Sequence, residues 1–213
     1  MELDLGQWVA IGVCAILLLG YIRGYIYNRR MAERVSAWLR EGLAQWGEVA
    51  AGERLPGMAT GGSLVVNHAS APFRRIEAIF ILEPRENLLF WLFYCLSGRR
   101  DELVLRIFSQ SPPEQEADVA RSGDKDFERR VAEAEKKPLT TAPGPGKLQI
   151  AWREKKGAQA IENVRRFSES YRHALLRLAL RSKQPHLFVR IHLAAVQSKP
   201  AQEFFAELQR FAD

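Results

Sequence analysis

Residues 8–22 read Trp-Val-Ala-Ile-Gly-Val-Cys-Ala-Ile-Leu-Leu-Leu-Gly-Tyr-Ile, without a charge or a proline. Apolar character continues past Arg23 through Tyr25, Ile26 and Tyr27, so residues 7–27 supply the ~20 positions that a bilayer-spanning helix needs. Ile16, Leu17 and Leu18 form its centre. Trp8 at one end and Tyr21, Tyr25 and Tyr27 with Ile22 at the other suit the two interfaces, where amphipathic rings prefer to lie. From residue 28 the pattern changes to helical amphipathicity: Met31, Val35, Trp38, Leu39, Leu43, Trp46 and Ala50 recur at three- and four-residue spacing. The polar face of this helix over residues 28–50 mixes both signs of charge, which favours packing on a domain over lying on a membrane surface.

Beyond a Gly-rich connection with Pro56 over residues 52–62, the periodicity shortens. Strands are expected over residues 63–69, 75–82, 101–109, 148–152 and 187–193. Amphipathic helices are expected over residues 127–135, 158–171 and 199–211. Residues 111–116 and 136–146 read as loops, the second rich in Pro, Gly and Thr. At residues 173–181 the alternation of Leu176, Leu178 and Leu180 with Arg177, Ala179 and Arg181 predicts a strand, with a continued helix as its rival. Residues 182–185 then turn the chain towards the strand over 187–193. Residues 88–96, Leu-Leu-Phe-Trp-Leu-Phe-Tyr-Cys-Leu, predict a helix that is apolar all round and too short to span a bilayer. Such a helix is either a core element or sits against lipid or a protein partner.

The flanks of the first segment orient it. Its start is acidic and has no Lys or Arg, whereas Arg23, Arg29, Arg30 and Arg34 follow. A cleavable signal peptide has the opposite profile. The positive-inside tendency puts residues 1–6 outside and the domain in the cytoplasm, at the plasma membrane of a prokaryote or the endoplasmic reticulum of a eukaryote. The expected organisation is an anchor over 7–27, a juxtamembrane helix over 28–51 and a cytosolic domain over 52–213, together an α+β protein of mixed strands and packed helices.

Chemistry is sparse. The histidines, His68, His173, His186 and His192, show no metal-ligand spacing, and Cys14 and Cys95 form no Cys-x-x-Cys. Gly144-Pro145-Gly146-Lys147 superficially matches a phosphate loop, but Thr141 replaces its first glycine and Leu148 its Ser or Thr. No Gly-x-Ser-x-Gly elbow occurs. No cofactor, small-molecule substrate or enzymatic activity is expected. The net charge of +6 and the pairs Arg99-Arg100, Arg129-Arg130, Lys136-Lys137, Lys155-Lys156 and Arg165-Arg166 point to phosphates of lipid or of ribosomal RNA, or simply to solvated faces. Arg99, Arg100, Arg129 and Arg130 are the phosphate candidates. Trp38, Trp46, Leu88, Phe90, Trp91 and Phe93 are the candidates for contact with a partner or the bilayer.

The anchor exit Tyr21-Ile22-Arg23-Gly24-Tyr25-Ile26, followed by a basic segment and Ala37-Trp38 in an amphipathic helix, resembles the calumin family of coiled-coil-domain-containing membrane proteins of the PAT complex. The order of later elements is also similar: a strand, a short apolar helix, a strand over 103–108, and a final strand and helix. The resemblance implies a non-enzymatic factor that binds near the ribosome and the protein-conducting channel and assists insertion of multispanning membrane proteins. The family's long acidic region ahead of the anchor finds no match, so no calcium role is expected; its basic coiled-coil tail, which bears on ribosome contact, finds no match either.

Overall fold

The computed structural model describes residues 4–51, 61–113, 115–133, 139–153 and 158–211. The basic pairs Lys136-Lys137 and Lys155-Lys156 and most of the Gly-rich connection over 52–62 lie outside these residues.

One helix, α1, runs without a break over Leu5–Leu43 and tightens into a 3-10 turn over Ala44–Trp46. At 1.5 Å per residue it is about 58 Å long. It is the one helix among the described residues long and apolar enough to cross a membrane. The two helices expected over 7–27 and 28–50 are therefore one. No proline or cap interrupts residues 22–31, and the backbone simply continues from the apolar half into the amphipathic half. The second half also ends earlier than expected, because Val49–Ala51 forms strand β1.

The remaining strands are β2 (Gly61–Asn67), β3 (Phe73–Ile81), β4 (Glu102–Ser109), β5 (Ala117–Arg121), β6 (Thr140–Pro143), β7 (Leu148–Trp152), β8 (Leu175–Leu180) and β9 (Leu187–His192). They form one nine-stranded sheet in the order β1-β2-β3-β4-β9-β8-β5-β7-β6, antiparallel throughout. The first four strands are a meander. Its edge β4 then pairs with β9, with Leu103, Leu105 and Ile107 opposite Ile191, Val189 and Leu187. These residues alternate with partly exposed neighbours, the two-residue period of a sheet buried on one face. The rivalry at residues 173–181 resolves as strand β8, hairpinned to β9.

Among the described residues, five helices accompany α1: α2 (Leu88–Leu96), α3 (Lys125–Glu133), α4 (Ala158–Ser170), α5 (Leu193–Val196) and α6 (Ala201–Gln209). The inner face of the sheet, the second half of α1, α4 and α6 share one core, including Val35, Leu39, Leu43, Val164, Phe167, Phe204, Phe205 and Leu208. On the opposite face α3 lays Phe127 against Ala120 of β5 and Ala151 of β7. The structure is thus a mixed α+β fold, a long apolar N-terminal helix followed by an antiparallel sheet and helices.

Candidate functional site

The buried stripe of α1 begins inside its apolar half. Gly24 and Asn28 are buried, Gly20 is half-buried, and the stripe continues through Val35, Leu39 and Leu43 into the core. The partner at its start is the segment that opens α2. Leu88 lies so close that a Cβ on Gly20 would meet its Cδ1 at 1.8 Å, and a Cβ on Gly24 would meet the carbonyl oxygen of Arg85 at 2.0 Å. Two glycines four residues apart on one helix face make this approach possible.

One helical turn on, a polar cluster fixes the joint. Asn28 Nδ2 donates to the Glu83 carbonyl at 2.9 Å and to Glu86 Oε2 at 2.7 Å, while Arg85 Nη1 donates to Asn28 Oδ1 at 3.2 Å. The Arg85 guanidinium grips both carboxylate oxygens of Asp101 at 3.0 Å each and stands 3.4 Å from Glu83 Oε2. The Glu83 N–H donates to Asp101 Oδ1 at 2.7 Å, Trp91 Nε1 donates to Glu83 Oε2 at 3.0 Å, and the Tyr27 ring lies under the guanidinium at 4.9 Å. Burial works against the Arg85 charge, but the Asp101 hydrogen bond and the nearby carboxylates outweigh it and hold its pKa above the ordinary arginine value. The cluster therefore ties both ends of α2 to α1, since Arg85 precedes that helix and Asp101 follows it. The sequence signals were an asparagine on the buried stripe and opposite charges flanking an apolar run; neither named a partner.

Helix α2 itself is capped by Asn87, whose Oδ1 accepts the Phe90 N–H at 3.2 Å. Leu88, Tyr94 and Cys95 are half-buried. Leu89, Phe90, Leu92, Phe93 and Leu96 are 52–80 % exposed, and no residue of the helix is buried. It is therefore not a core element. Each such side chain left in water forgoes about 1.5–3 kcal/mol.

The other sequence-derived candidates separate clearly. Trp8, Ile16, Leu17, Leu18, Tyr21, Ile22 and Tyr25 are exposed on α1, and Leu88, Phe90, Trp91 and Phe93 belong to α2 beside it. The expectation for the two indoles needs correction. Trp46 is 3 % exposed and packs edge-on against Phe73 and Phe205; Trp38 is half-buried against Phe204 and Phe205, with Nε1 donating to the Lys199 carbonyl at 3.1 Å. They faced the domain's own sixth helix, which periodicity alone could not reveal. Arg99 and Arg100 are exposed just past α2, Arg99 over the Tyr94 ring at 5.0 Å. Arg129 pairs with Asp126 at 2.8 Å, and Arg130 pairs with Asp118. Burial pushes the Asp118 carboxyl up, against the pull of Arg177 and Arg130. The second arginine pair thus serves internal ion pairs and lies apart from α2.

Among the described residues, no three His, Cys, Asp or Glu side chains gather as a metal site. A hollow of about 320 Å³ lies under Ser109, Pro112, Asn163, His186 and Arg210. Its histidine already accepts the Ser109 N–H at Nδ1, 3.0 Å away. In comparisons with known proteins, the chain matches no family model and no curated protein.

The glycine joint makes a graded prediction. Gly24→Ala should destabilise by about 1–3 kcal/mol, because its methyl meets backbone that cannot rotate away. Gly20→Ala should cost less, since Leu88 Cδ1 is the end of a flexible side chain. Gly12→Ala, with nothing within 4 Å, should be neutral or slightly stabilising through helix propensity. Unfolding midpoints of the three variants in mild detergent check the order.

Proposed function

We propose that the protein is a single-pass membrane protein, N-terminus outside and domain in the cytoplasm, that binds beside the translocon or ribosome and assists insertion of multispanning membrane proteins. One observation carries the reading: an apolar helix, α2, is exposed and clasped to the membrane-length helix α1. Together they offer an apolar surface wider than one helix at the level where transmembrane segments meet lipid. Orientation rests on the arginines that follow the apolar run, with none before it. Arg99 and Arg100 are available for phosphates of RNA or lipid. The translocon enters through the likeness of residues 21–26 to the calumin family. Binding, not catalysis, is the role, since the conspicuous surface is apolar.

Sedimentation of gently solubilised membranes through a salt series, with and without crosslinking, tests this. Co-migration with ribosomes or channel subunits at low salt is expected. Absence of both, even after crosslinking, overturns it. A second reading, a scaffold for another membrane protein, is favoured by the free apolar faces of α1. It predicts an association insensitive to salt and nuclease.

A further inference from the structure

We infer that α2 lies within the bilayer leaflet on the domain's side, with Leu89, Phe90, Leu92, Phe93 and Leu96 among the acyl chains and Arg99 and Arg100 at the lipid phosphates. This rests on α1 crossing the membrane and is independent of any translocon or ribosome contact.

Position is the first ground. Leu88 touches Gly20, in the apolar run of α1. Gly20 is seven residues before Tyr27, a rise of about 10 Å. Helices that lie in the interface are sunk roughly 5–10 Å below the headgroups. A bilayer that covers α1 at Gly20 therefore also reaches the helix pinned there. The polar clasp of Asn28, Arg85 and Asp101 sits about two turns beyond Gly20 along α1, at the depth where headgroups and water begin.

The chemistry of the outward face is the second ground, and it selects lipid over another transmembrane helix. Helix pairs in membranes meet through small residues that let backbones approach. Here Gly20 and Gly24 are already used against Leu88 and the segment that opens α2, and the outward face of α2 carries Leu and Phe with the rim of Trp91, and no small residue. The indole N–H of Trp91 is satisfied by Glu83, so it needs no water. The exposed Arg99 and Arg100 emerge at the C-terminal end of α2, where cations meet anionic headgroups. Lipid on α2 leaves the free faces of α1 for protein partners.

The test uses the purified full chain in vesicles of phosphatidylcholine and phosphatidylglycerol that carry an acyl-chain diazirine. After photolysis, adducts are mapped by mass spectrometry. Adducts on the α2 peptide at a yield comparable with residues 8–22, and none on α3, are expected. Adducts on α1 alone overturn the proposal, whether α2 then lies in water or against a second copy. A second measurement places a spin label at Phe93, and as a control at exposed Glu128, in a Cys14→Ser, Cys95→Ser background. Greater collision with oxygen than with an aqueous nickel chelate at Phe93, reversed at Glu128, supports the proposal. Equal access of the chelate at both sites overturns it. Neither readout contains a ribosome or channel, so failure here and failure of the translocon reading are distinguishable.

Discussion

Phe205→Ala should remove about 3–5 kcal/mol of domain stability, the usual loss when a buried phenyl ring is deleted from a packed core. The ring is fully buried and lies 5.7, 5.4 and 5.3 Å from the ring centres of Trp38, Trp46 and Phe204. It also fills the hollow left by Gly42, where a Cβ would come within 2.2 Å of Phe205 Cδ2. Little can collapse into the void, because α1 on one side is a continuous helix and the sheet on the other is fully paired at this place. A domain of this size has only about 5–15 kcal/mol in hand, so the variant should sit near its unfolding threshold. Urea titration in mild detergent, followed through Trp38 and Trp46, measures the loss. Phe211→Ala is the comparison: that ring is half-buried and should cost less. An equal loss for both would mean that α6 is not what holds the second half of α1 on the sheet.

The amphipathic period over residues 28–46 was legible because Val35, Leu39 and Leu43 had to be covered by something. What covers them was not, since Phe204 and Phe205 come from the far end of the chain. Most strands declared themselves through β-branched alternation. β5 did not: Ala-Asp-Val-Ala-Arg carries one β-branched residue, and it is a strand because β7 and β8 pair with both its edges. β6 is similar, as Thr-Thr-Ala-Pro read as loop yet sits at the sheet edge, where a proline is tolerated. The apolar run over residues 88–96 fixed a helix but left open whether it was core or surface; composition cannot tell the two apart. The clasp was invisible because its members, Asn28, Arg85 and Asp101, are ordinary residues until the fold brings them together.

The clasp gives the second large effect. Arg85→Met should cost about 3 kcal/mol, the scale of breaking a partly buried ion pair while its acidic partners remain. Asp101 and Glu83 are only 11 % and 6 % exposed and would be left without their counter-ion. Arg85→Lys keeps the charge but loses the two-point grip on Asp101, so it should fall in between. Urea titration of the wild type and the two variants in mild detergent checks that order. Finally, Gly24→Ala and Arg85→Met act on one joint, the first by prising the Arg85 backbone off α1 and the second by releasing its side chain. The double variant should lose less than the sum of the two, because a joint already opened has little left to lose. Strict additivity would mean that the glycine contact and the polar cluster hold α2 independently.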